Sequence, residues 1–304
     1  MIISDTIHRI VQKFEVFMKQ QQTKYSLLLI FATIIWGGAF VAQSVGSTML
    51  GPFAFNCIRF FLGALSLIPA FVYMDVKDGI MTHLYDKYLI KGGIICGLFL
   101  FAAAAMQQIG ISTTKAGTAG FITTLYIVLV PVFSLALKKK PRKTLWISVA
   151  FALIGMFLLC VDGDMVLEVG DLWLLGCSVF YAMQIIAVGK FAPNVDVIKL
   201  SFIQFLTCGV LGLIPLLNER PTVTAIADCW VPLCYLGFMS SGLACTLQME
   251  AQKRVNATLA CIIMSLESVF SVLFGMILLG ERLSVREGAG CIVMLIAVLI
   301  AELL

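Results

Sequence analysis

The chain has 304 residues, 61% of them hydrophobic and only 12% charged, with a mean hydropathy of +1.02. Soluble domains are about half apolar and about a quarter charged, so a water-exposed globule is excluded and most of this surface must face lipid. The net charge of +4 lies between apolar runs, not along a basic stripe interleaved with aromatics, which argues against a nucleic-acid partner.

Residues 1–24 hold no short apolar core followed by a small-residue cleavage site, so no signal peptide is predicted. Ile3, Ile7, Ile10, Phe14 and Phe17 recur at helical spacing, with His8, Arg9, Lys13 and Lys19 on other faces. The segment reads as an amphipathic leader helix on the cytoplasmic membrane surface, with a disordered leader as the alternative.

A bilayer-crossing helix needs about 17–25 mostly apolar residues. Such runs fall at 25–45, 52–74, 89–111, 118–137 and 144–161, and again at 170–191, 198–217, 229–249, 257–279 and 286–304. Only helices satisfy their own backbone in lipid, and the runs are too long for barrel strands. The predicted fold is therefore an all-α integral membrane protein of ten transmembrane helices. With the N-terminus inside, sixteen Lys and Arg fall in cytoplasmic segments and four outside; the positive-inside rule then places both termini in the cytoplasm of a cell inner (plasma) membrane protein.

The two sets of five spans align with each other. An offset of 145 lays Phe55–Phe60 over Leu200–Phe205 and Trp36 over Tyr181. From the third span the offset is 141, matching Gln107 with Gln248, Leu125 with Leu266 and Val128 with Val269. Five is odd, so the second copy enters from the opposite side. The basic loop Lys138–Lys143 accordingly has a less basic counterpart at Gly280–Ser284. Inverted repeats of this kind, here 25–161 and 170–304, belong to secondary transporters.

The pattern resembles the drug/metabolite transporter superfamily in its ten-helix EamA-type branch. The resemblance is carried by Trp36-Gly37-Gly38, Arg59-Phe60, Ala116–Phe121, Leu266–Phe270 and Leu279–Leu283, and it covers about residues 25–304. Two positions depart from the family pattern: Ser268, where proline is frequent, and Lys138–Pro141 in place of a Gly-Glu-Arg-like turn. The resemblance implies ATP-independent export or import of small metabolites, often amino acids or their analogues. It also implies a central cavity between the repeats, with the fifth and tenth helices peripheral.

Two ionisable residues stand well inside the spans, Arg59 and Glu267. Each would cost about 2.5–3.5 kcal/mol or more facing lipid, so each should face protein or a wet cavity. Arg59 is either a partner for a substrate carboxylate or a structural group that snorkels outward. Glu267 is a partner for a substrate ammonium, a proton carrier, or half of an internal charge pair. Asn56, Gln107, Gln184, Gln204 and Gln248 add amides that either line the cavity or join helices. Gln43, Gln108 and Ser265 belong to the same polar set. Trp36, Tyr126 and Tyr181 are candidates to stack on an aromatic or cationic substrate, with packing as the alternative. Gly93 and Gly97 form a G-x-x-x-G packing step, and Pro69 and Pro215 are candidate paired kinks.

Ten cysteines sit in or beside apolar runs without C-x-x-C or metal spacing, so buried thiols are expected and neither metal nor cofactor is. A membrane enzyme would need clustered His, Asp or Glu; the two histidines, His8 and His83, lie outside the spans, and Asp162, Asp164, Glu168 and Asp171 gather without a basic partner. No P-loop is present, and no charge ring marks a channel. The expected function is secondary transport, in the direction of export, of a small-molecule substrate by alternating access, with an embedded enzyme or a channel as the alternative. The architecture is compatible with proton coupling and with a homodimer.

Overall fold

The computed structural model describes residues 2–78, 86–113, 116–138, 141–160, 169–279 and 284–303, with 2–21, 78, 116–118, 160 and 279 described by backbone alone. His83, Lys115, Lys139, Lys140, Asp162, Asp164, Glu168 and residues 280–283 lie outside these residues, as do the side chains on which the leader's amphipathic reading rests.

All regular structure among the described residues is helical. The elements are α1 (Ile2–Ser47), α2 (Pro52–Asp78), α3 (Lys87–Ile111), α4 (Ala116–Thr124), α5 (Tyr126–Ala136), α6 (Lys143–Cys160) and α7 (Val169–Phe191). They continue with α8 (Val197–Glu219), α9 (Val223–Asp228), α10 (Trp230–Cys234), α11 (Thr246–Ala251), α12 (Ala257–Met264), α13 (Glu267–Leu279) and α14 (Val285–Leu303). Between α10 and α11, residues Tyr235–Cys245 form a wide π-helical stretch. Among the described residues, eight helical segments are long and apolar enough to cross a membrane. Lys143–Leu159 is shorter, and α14 carries Arg286, Glu287 and Glu302 near its ends.

Local chemistry sets several helix starts. Asp86 accepts from Tyr88 N, Asp196 from Ile198 N and Lys199 N, and Asn256 from Leu259 N, each satisfying amide donors that lack an intrahelical partner. The fourth and ninth predicted spans are each broken in two. At Leu125 the amide bonds Ile122 O (3.2 Å), and at Leu266 it bonds Ile263 O (3.1 Å). Both bonds reach back three residues where an α-helix reaches four.

α2 packs along α8, α3 along α7 and α8, α1 along α13 and the π stretch, and α6 along α14. Small residues permit the closest approaches. A Cβ on Gly97 would lie 2.8 Å from Gln204 O, and one on Gly155 would lie 2.8 Å from Met294 N. Gly93 likewise abuts Ile203, so the predicted G-x-x-x-G step joins α3 to α8.

The α2–α8 pair is antiparallel and clamped at both ends. At one end Lys199 Nζ meets Asp75 Oδ1 at 2.7 Å, with Lys199 only 1% exposed. At the other, the Glu219 carboxylate accepts from Phe53 N (3.1 Å) and Ala54 N (2.6 Å) at the start of α2. Midway, the rings of Phe60 and Phe205 stack with centroids 5.9 Å apart.

Candidate functional site

A central cavity lies among α1, α2, α3, α7, the π stretch and the two broken helices. The breaks place Tyr126 and Glu267 as the first residues of α5 and α13. Tyr126 Oη donates to Glu267 Oε1 at 3.1 Å, and both side chains are buried. The Tyr126 ring meets Tyr181 edge-on, centroids 6.4 Å apart. Tyr181 Oη in turn donates to Gln107 Oε1 at 3.0 Å.

Arg59 reaches the same cavity from α2. It is 5% exposed, its guanidinium lies 4.6 Å from the Phe60 ring centroid, and its Nε has no hydrogen-bond partner. Among the described residues no ion pair joins Arg59 to Glu267. A buried guanidinium with an unmet donor is a costly arrangement. An anionic group or water entering the cavity would relieve it.

Trp36, Arg59, Gln107, Tyr126, Tyr181, Gln184, Gln248 and Glu267 all line the cavity. Asn56 and Gln204 do not. Asn56 Nδ2 donates to Ala104 O at 3.0 Å and ties α2 to α3, whereas Gln204, fully buried, accepts from Gln184 Nε2 at 3.0 Å. Trp36 Nε1 donates to Ser240 O at 3.3 Å, fixing the indole against the π stretch.

The lining also includes Phe40, Gln43, Thr123, Ser240, Ser241 and Cys245. Gln43 is one of the polar set read from the sequence, whereas the others resemble ordinary packing residues. Outside the cavity, Lys199 is a buried charge that its place at a span edge concealed. Among the described residues no group of three His, Cys, Asp or Glu side chains is arranged to hold a metal.

The model of the EamA-like transporter family matches residues 23–161 and 168–303. An uncharacterized transporter of Archaeoglobus fulgidus is 29% identical over 297 residues, covering 94% of this chain and 91% of its own. The uncharacterized inner membrane transporter YedA of Escherichia coli K12 is 23% identical, covering 89% and 88%. A crystal structure of another protein superposes with a TM-score of 0.78 at 19% identity, over 92% of this chain and 97% of that one.

Proposed function

The chain belongs to the EamA-like transporter family, and from that premise we propose that this multi-pass membrane transporter exports small metabolites such as amino acids or related compounds. In this reading ten helices form two inverted five-helix repeats, both termini are cytoplasmic, and the solute occupies the central cavity during alternating access. α6 and α14 supply the fifth and tenth crossings, their charges lying near helix ends where long side chains can reach the interface.

The observation that carries the reading is the composition of the cavity wall. Fourteen of its nineteen residues form seven pairs at the repeat offsets. At 145 these are Trp36 with Tyr181, Ala39 with Gln184 and Phe40 with Ile185. At 141 they are Leu100 with Ser241, Gln107 with Gln248, Thr123 with Met264 and Tyr126 with Glu267. Two equivalent pairs also touch directly: Tyr126 with Glu267 and Phe60 with Phe205. A wall built twice from one pattern is what exchange of conformations between two halves requires.

Glu267 is the acid in this wall, and we assign it proton coupling or capture of a substrate ammonium; Arg59 takes a carboxylate. The test compares extracellular metabolites of cells expressing the protein, its Glu267→Gln variant at equal membrane level, and an empty vector. A small set enriched only with the intact protein identifies the exported class. Profiles that match across all three overturn export. In vesicles, transport by Glu267→Gln should no longer follow a pH gradient, and persistence of that dependence removes Glu267 from coupling.

A further inference from the structure

Toward the end of the bundle that carries Lys199, a hydrogen-bonded bridge stands between the central cavity and a neighbouring one. Gln248, on the cavity wall, donates from Nε2 to Gln252 Oε1 at 3.0 Å, and Gln252 Nε2 donates to Ile185 O at 3.0 Å. Gln248 and Ile185 face the central cavity. Gln252 and Ile186 face a second cavity on the other side. One layer of hydrogen-bonded side chains therefore separates two empty spaces. The second cavity has Arg142 and Arg254 at its wall and the start of α12 beside it.

The wall's departures from pairing point the same way. Arg59 and Phe60 line the central cavity, whereas their counterparts at the 145 offset, Gln204 and Phe205, are fully buried. Gln204 is held by its bond to Gln184. Exchange of the halves would uncover Gln204 and Phe205 and seal Arg59 and Phe60.

We propose that the second cavity is the continuation of the transport path toward the basic loops, and that the Gln248–Gln252–Ile185 bridge is the gate between the two spaces. Gln252 is then a gating residue that acts by holding Gln248 and the α7 backbone together. The proposal rests on the transport reading for its purpose, but its test needs no transported solute.

Cys245 lines the central cavity and is half-buried, three residues before Gln248. Its modification by the impermeant anion 2-sulfonatoethyl methanethiosulfonate, followed by peptide mass spectrometry, reports access from either side of oriented vesicles holding the full chain. In the parent protein, labelling from the Gln252 side should be slower than from the opposite side. Gln252→Ala should raise the Gln252-side rate by about tenfold, the scale set by losing two buried hydrogen bonds, and leave the opposite side unchanged. Gln252→Met keeps the volume, loses both bonds and should act in the same direction; it serves if the alanine variant fails to fold. An opposite-side rate equal to the parent's certifies folding. Equal parental rates from the two sides, or an unchanged Gln252-side rate in a folded variant, overturns the gate. Failure of the metabolite comparison would instead count against export and leave this result standing.

Discussion

Removing the Tyr126 hydroxyl leaves a buried Glu267 oxygen without its donor. Tyr126→Phe should therefore cost about 1–3 kcal/mol, measured as a lower Tm of the detergent-solubilised protein. Combined with Glu267→Gln, the two effects should fall short of additivity, because the residues share one hydrogen bond. Lys199→Met breaks a buried ion pair, a change that costs about 3–5 kcal/mol when both charges are fully buried. Asp75 is 20% exposed, so solvent reduces that figure. Adding Asp75→Leu should restore most of the lost stability, and no recovery in Tm would show that Asp75 holds something other than Lys199. Arg59 and Glu267 were legible in the sequence because a charge amid apolar helix residues has few places to go. Lys199 was not, since a lysine at a span edge normally reaches water. Thr123, Ser241 and Phe40 were hidden for another reason: hydroxyls and aromatics are ordinary packing groups in membrane helices. Their repeat counterparts, Met264, Leu100 and Ile185, are apolar, so the offsets drew no attention to them either.

At the scale of the elements, the apolar runs located the helices well but concealed how two of them are interrupted. Nothing at Leu125 or at Ser265–Leu266 resembles a breaker; the neighbours are Thr124, Tyr126, Met264 and Glu267, with neither glycine nor proline adjoining. Their alignment at the 141 offset was visible, and beside each break a hydroxyl bonds back into the helix, Thr124 Oγ1 to Gly120 O at 2.8 Å and Ser265 Oγ to Ile262 O at 2.6 Å, a contact that bends the backbone but that Ser and Thr also make in unbroken helices. Widening of the helix at Tyr235–Cys245 was equally silent, although Gly237 and Gly242 lie in it. Helix contacts left a clearer trace. A Cβ at Gly97 already meets α8 backbone, so Gly97→Leu should force α3 from α8 and cost at least about 1–3 kcal/mol. Thermal unfolding checks this, and an unchanged Tm would mean that the two helices can part freely.

For the whole molecule, the distribution of sixteen basic residues against four predicts that reporters fused to either terminus report the same, cytoplasmic, side. Opposite readings for the two ends would require an odd number of crossings and remove the inverted repeat. The α2–α8 clamps carry a different consequence. Contacts of 2.6–3.1 Å hold Glu219 to the start of α2, and 2.7 Å joins Lys199 to Asp75 at its other end. Lengthwise slip by even one residue, about 1.5 Å, would stretch both fastenings at once. The pair is thus latched at both ends, so that α2 and α8 must move lengthwise as a single unit.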